Sequence, residues 1–161
     1  MSSTLRDTLT ALYDSTDGAN WRINNGWLTG EPCTGTTANW HGLYNAQRQP
    51  GCNSDGTISG LLLWNNGLRG TLPSELGRLT TLDQLYLGSN SLSGTLPTEI
   101  EQLNPTDCFL TIAQCLATGQ STTNCGGSAN TNNFACPVPR LPTACASNWA
   151  ILCNPPLPPS P

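Results

Sequence analysis

Few residues in this chain are of types that do chemistry. There is one histidine, His41, and there are ten carboxylates and eight cysteines; all six basic residues are arginine. Hydrolytic catalysis needs paired carboxylates, a nucleophile beside a base, or a metal. His41 stands inside Trp40-His41-Gly42 and reads as a structural or surface residue rather than a general base. The carboxylates are scattered. Glu75 and Glu99 lie 24 residues apart in matching sequence contexts, so they should fall in register on adjacent coils. Their backbones would then be about 5 Å apart, but equivalence in a repeat explains that register without catalysis. A chain without lysine has no G-x-x-x-x-G-K-[ST] loop, and the run Cys125-Gly-Gly-Ser is not followed by a helix pattern, so no phosphate cradle is expected. The chemistry-bearing residues therefore predict no enzyme, no cofactor and no metal site.

The cysteines are Cys33, Cys52, Cys108, Cys115, Cys125, Cys136, Cys145 and Cys153. Zinc sites use close pairs, usually with histidine nearby. Here the closest pair, Cys108 and Cys115, has six residues between, so disulfides are the expected use. That predicts an oxidising, extracellular or cell-surface location. Met1-Ser-Ser-Thr-Leu-Arg-Asp lacks an apolar signal region, and the expectation is a start at a mature or recombinant N-terminus. Charged residues make up 10% of the 161, against about 25% in ordinary globular chains, and the net charge is -4. The arginines are dispersed, which predicts neither nucleic-acid binding nor a polybasic membrane patch. No apolar run is long enough to span a bilayer. The N-glycosylation pattern fails at its one near-match, Asn104-Pro105-Thr106.

The positioning elements come from an internal repeat. Ile58 to Thr81 aligns with Leu82 to Pro105 at an offset of 24. Leu61 matches Leu85, Leu63 matches Leu87, Asn66 matches Asn90, and Leu68 matches Leu92. Gly70 matches Gly94, and Leu72-Pro73 matches Leu96-Pro97. Leucines two apart point to one face of a short strand. The asparagine at the turn can hydrogen-bond backbone groups of a neighbouring coil, which a buried loop would otherwise leave unpaired. Each coil is covered by stacking on the next. A degenerate unit, Asn132-x-Phe134-x-Cys136-x-Val138-Pro139, follows at an offset of 42 from Asn90, implying an insertion of about 18 residues before it.

This pattern, L-x-x-L-x-L-x-x-N-x-L-x-G-x-L-P, resembles the leucine-rich repeat of plant and algal extracellular proteins. The resemblance implies an α/β solenoid: a short right-handed leucine-rich repeat with disulfide-bonded caps. Residues 1–57 would be an N-terminal cap, with a helix over residues 3–14 and Trp21, Trp27 and Trp40 beneath it. Residues 58–105 would be two repeats. Residues 106–153 would hold the Cys-rich insertion, the degenerate third repeat and a C-terminal cap. Residues 154–161 would be a proline-rich, polyproline-like tail, similar to the linkers of wall glycoproteins. In the family a cysteine follows Trp-x-Gly closely. Here Asn45 stands there, so an insertion from Asn45 to Gly51 and a Cys33–Cys52 bridge are inferred from the resemblance. A helix is expected from Thr106, as N-cap, to Gly119. It would hold Cys108 and Cys115 about 10 Å apart, so both would pair with later cysteines among Cys125, Cys136, Cys145 and Cys153. Which pairs form stays open.

Residues alternating with the core leucines should point outward on the concave strand face. Leu62, Trp64 and Asn65 in one unit, with Gln84 and Tyr86 in the next, are the expected binding residues. An outward Leu-Tyr-Trp cluster on so polar a chain is an exposed apolar patch. By the family resemblance it implies recognition of a protein, peptide or polysaccharide. The alternative is a structural subunit of a matrix, wall or filament that self-assembles through the same patch.

Overall fold

The computed structural model describes residues 3–110, 132–135, 140–146 and 153–154. Helix α1 spans Ser3–Ser15 and buries Leu9 and Leu12. Thr16 ends it, its Oγ1 donating to the Leu12 carbonyl at 2.6 Å. The tryptophans pack where the helix leaves off. Tyr13, Trp21, Trp27 and Trp40 form a chain of ring contacts with centroids 4.7–5.8 Å apart. The Arg6 guanidinium lies over the Trp40 ring, 5.6 Å from its centre. A two-stranded antiparallel ribbon follows, β1 (Cys33–Thr34) with β2 (Thr37–Ala38). The Cys33–Cys52 disulfide anchors it, with Cα atoms 6.0 Å apart.

Two sheets carry the rest. In the first the order is β3 (Leu43–Tyr44), β4 (Gly60–Leu62), β6 (Gln84–Tyr86) and β8 (Asp107–Phe109). β3 is antiparallel to β4, and the others are parallel. In the second the order is β10 (Cys153–Asn154), β9 (Asn133–Ala135), β7 (Ser91–Thr95) and β5 (Arg69–Gly70), all parallel. Short 3-10 turns, Ser74–Arg78 and Thr98–Gln102, lie in the return path of successive coils. Between the sheets lies the leucine core, with Leu61, Leu68, Leu76, Leu85, Leu87 and Ile100 among its fully buried members.

Three asparagines run through this core and join the coils. Asn90 is fully buried. Its Oδ1 accepts from the Asn66 and Leu68 amides, and its Nδ2 donates to the Leu63 and Leu87 carbonyls. Asn66 makes the same kind of contact to the cap through the amide and carbonyl of Ile23. Asn132 does so on the other side, through the Leu92 amide and the Leu87 and Leu110 carbonyls. The repeat glycine has an equally local cause. Gly70 has φ +101°, and a Cβ there would lie 2.3 Å from the Ser15 carbonyl oxygen, so the end of α1 rests directly on β5.

The expected helix from Thr106 is corrected at its start. Asp107–Phe109 is a strand, stacked on β6 through Leu87 N donating to Phe109 O at 2.8 Å. Cys108 and Leu110 point inward in the places of Leu85 and Leu87, and the β6 edge offers backbone partners that an isolated helix turn would lack. The third coil therefore begins at Asp107, and the insertion falls between Leu110 and Asn132. Cys108 pairs with Cys145, in the one-turn helix Thr143–Ala146. The remainder of the expected helix, with Cys115, lies outside the described residues, and so do Cys125 and Cys136.

Candidate functional site

The outward face of the β3–β4–β6–β8 sheet is built by alternation. Leu61, Leu85 and Cys108 pair in register and point in; Leu62, Tyr86 and Phe109 pair in register and point out. The three form one row across the strands, each half-buried. The Tyr86 and Phe109 rings meet at 4.8 Å, tilted by 51°, a geometry aromatic pairs favour. Trp64 continues the β4 line and is 41% exposed. A large indole left that open beside an apolar row is the most accessible hydrophobic surface on this face.

The remaining sequence-predicted residues are placed less freely. Gln84 is buried, only 6% exposed. It lies over Gly60, where a Cβ would come 3.5 Å from its Oε1, and its Nε2 donates to the Tyr86 hydroxyl at 3.3 Å. Asn65 adopts φ +48° and is held by Arg22, whose Nη1 donates to its Oδ1 at 2.6 Å and to its carbonyl at 3.2 Å. Both therefore shape the face more than they present to a ligand. Burial, with the Asp107 carboxylate second, pushes the Tyr86 phenol above its ordinary pKa.

One end of the row is polar. Arg48, from the Asn45–Gly51 insertion, reaches Asp107 at 2.9 Å and Asp83 at 3.4 Å. Thr106 Oγ1 donates to Asp83 at 2.6 Å. Tyr44 in β3 packs against Gly60 on the same face, where a Cβ would lie 2.8 Å from its own. The insertion thus borders the row at that end. Tyr44, Arg48, Asp83, Asp107 and Phe109 are members that the sequence pattern did not single out. For Asp107 and Phe109 the signal was present, since Asp107-Cys108-Phe109-Leu110 repeats the alternation of Gln84-Leu85-Tyr86-Leu87.

Glu75 and Glu99 sit in the two 3-10 turns. Each accepts from the hydroxyl just before it, Ser74 at 3.3 Å and Thr98 at 3.2 Å. This is one local contact made twice. Of the described residues, no group of three or more His, Cys, Asp or Glu is placed to hold a metal ion, and no helix is long and apolar enough to cross a membrane. Of the cysteines expected to form disulfides, Cys33, Cys52, Cys108 and Cys145 do so.

Residues 81–103 match the sequence profile of the Leucine Rich Repeat family. No curated protein is similar to the chain at a significant level. Among solved structures, the BIR2 ectodomain from Arabidopsis thaliana is similar with a TM-score of 0.51 and 23% identity, over 83% of this chain and 58% of that one. The PEPR1–AtPEP1 structure is 26% identical over 65% of this chain and 14% of its own, with a TM-score of 0.44. The BIR3–SERK2 complex from Arabidopsis thaliana is 19% identical over 82% of this chain and 71% of its own, also at 0.44. The chain thus spans less than two thirds of the first two structures it resembles. Together the repeat match and the likeness to the BIR2 ectodomain give the chain the fold of a leucine-rich-repeat solenoid.

Proposed function

We propose that the chain is an extracellular recognition module that binds a protein or peptide across the outward face of the β3–β4–β6–β8 sheet. The observation that carries this reading is the row Leu62, Tyr86 and Phe109 with Trp64 exposed beside it. Rigid aromatic side chains supply contact area at little entropic cost and dominate binding energy where they cluster. Residues 1–57 serve as the cap and contribute β3 to the face, and the coils from Ile58 onward supply β4, β6 and β8. The disulfides fit an oxidising compartment.

The test is selection of peptides from a displayed random library on the disulfide-bonded protein, followed by calorimetry on the winners. Trp64→Ala and Tyr86→Ala should each weaken binding about tenfold or more, as truncation of a central aromatic does. Peptides that bind both variants as tightly as the parent would place the site elsewhere.

A second reading has one observation in its favour. β8 ends its sheet among the described residues, and an open strand edge beside an apolar row is a contact that a second copy could continue. The chain would then be a structural subunit of a matrix, wall or filament. Light scattering separates the two: a monomer supports recognition, and an open-ended polymer that Tyr86→Ala dissolves supports assembly.

A further inference from the structure

Beside its apolar row, the outward face of the β3–β4–β6–β8 sheet carries more acceptors than donors. Asp83 and Asp107 share one cation: Nη2 of Arg48 reaches both, at 3.4 and 2.9 Å. Among the described residues no other basic side chain pairs with either aspartate, so one negative charge is left over.

The acceptors are also unequally used. Asp83 accepts from the Thr106 hydroxyl at Oδ1 and from Arg48 at Oδ2. Asp107 gives only its Oδ2 to Arg48, and among the described residues no donor reaches its Oδ1. Gln84 stands beside Asp107, in register on the neighbouring strand. Its Nε2 donates to the Tyr86 hydroxyl, and among the described residues no donor reaches its Oε1. That oxygen belongs to a side chain only 6% exposed. An acceptor so enclosed gives up most of its water without gaining a protein partner, a cost that lasts until a donor arrives.

The apolar surface adjoins this pair directly. Two residues on from Gln84 and Asp107 come Tyr86 and Phe109, and two residues on from Leu62 in the same row comes the exposed Trp64. Acceptors, aromatic row and indole therefore follow one another along the strands at intervals of about 6.6 Å, the interval at which side chains recur on one side of any extended chain. Beyond Trp64 the sign of charge changes. Arg22 lies over Asn65 there, so a second cation would be repelled at that end.

A neutral apolar ligand would cover the row and shut the two open acceptors away from water. An acidic one would add repulsion. A guanidinium or ammonium group brings N–H donors, has no acceptor of its own to satisfy, and offsets the charge left over.

We infer that the partner of this face is a basic and apolar segment: an extended stretch of protein or peptide that sets an arginine or lysine against Gln84 and Asp107, and apolar side chains against the Tyr86–Phe109 pair and Trp64. The inference rests on the reading of this face as a protein or peptide site. It adds the sign of the partner's charge and the residues that read it. Arg48, reaching in from the cap insertion, competes with the partner's cation for Asp107.

The test uses peptides selected from a displayed random library on the disulfide-bonded protein, each made again with its basic residues replaced by glutamine. Winners weakened by Trp64→Ala and Tyr86→Ala should carry a basic residue two to four positions from an apolar one. Replacing it by glutamine should weaken binding about two- to fivefold, the scale of a partly exposed ion pair, and less in high salt. Asp107→Asn, which keeps the shape of the side chain, should abolish the difference between the two peptides and leave the glutamine form bound as by the parent. Arg48→Ala should tighten the basic form about twofold or more and leave the glutamine form unchanged. A purely structural role for either residue would move both peptides alike, and that result overturns the inference. It is also overturned if the winners that need Trp64 and Tyr86 are neutral or acidic, or if they bind Asp107→Asn as tightly as the parent; in both cases the face remains a peptide site. Winners indifferent to Trp64 and Tyr86, or no winners, would remove that reading and this inference with it.

Discussion

The two sheets of this solenoid have the same inside and different outsides. Inward, both present leucine or its substitute: Leu61, Leu85 and Cys108 in one, Leu68, Leu92 and Phe134 on the other side, all 3% exposed or less. Outward, the β3–β4–β6–β8 sheet presents Leu62, Tyr86, Phe109 and Trp64. The β10–β9–β7–β5 sheet presents Arg69, Ser91, Ser93, Thr95, Asn133 and Ala135, all exposed. Stacking demands only the inward set, so the inward set carries the fold and says nothing of function. The outward sets are free to differ. Among the described residues, only the first places large apolar side chains where solvent would otherwise be.

The comparison first requires that the inside be common property. Asn90 tests this hardest, because it satisfies groups on both sides of the core at once. Asn90→Leu leaves the Asn66 and Leu68 amides and the Leu63 carbonyl without their partner, while the Leu87 carbonyl keeps its bond from Asn132. At about 1–3 kcal/mol for a stranded buried group, a loss of about 3 kcal/mol or more is expected in urea unfolding, a large share of a small domain's stability. Ser91→Ala, one residue on but facing water, should stay within about 0.5 kcal/mol. Similar losses from both would mean that the ladder is not what joins the coils.

How much of this was legible follows from the same division. The offset of 24 gave β4 and β6, their inward leucines and the asparagine contacts, because stacking imposes one pattern on every coil. β8 was misread as a helix start. Its inward residues are Cys108 and Leu110, and a cysteine in a leucine position broke the match although the alternation survived. Outward exposure was legible only in part. Period two says which side a residue takes, not what lies over it: Gln84 points out, yet it folds flat across Gly60 and is buried. Arg48 was not legible at all. It comes from an irregular insertion and meets Asp83 and Asp107 only because the fold brings them together.

A sharper comparison asks whether the apolar row is held together or merely adjacent. A double-mutant cycle with Tyr86→Ala and Phe109→Ala should give a coupling of about 0.5–1.5 kcal/mol, as contacting aromatic pairs do. The matching cycle on the other sheet, Ser93→Ala with Asn133→Ala, pairs residues in register but should give about zero. Equal couplings would erase the distinction between the faces. Arg48 sets the next scale down. Its two ion pairs involve side chains 36–53% exposed, so Arg48→Ala should cost about 0.2–1 kcal/mol and less in high salt. A loss insensitive to salt would mean that the arginine acts by packing over the end of the row.

The smallest effect is one of pH, and it too should belong to the first face and its cap. Burial raises the Tyr86 pKa from 10.0 and lowers that of His41 from 6.5. As pH rises past 10, the unfolded chain loses the tyrosine proton first, so the folded state binds more protons and stability falls through the folded pKa. As pH drops below 6.5 the unfolded chain gains the histidine proton first, so stability falls again until the folded pKa is passed. Relative to the parent, Tyr86→Phe should flatten the alkaline limb of stability against pH, and His41→Gln the acid limb. Ser93→Ala, which replaces an uncharged, exposed residue of the second sheet, should leave both limbs as they are. If Tyr86→Phe leaves the alkaline limb unchanged, the hydroxyl is solvated like any surface tyrosine, and the row is less enclosed than the contact with Phe109 implies.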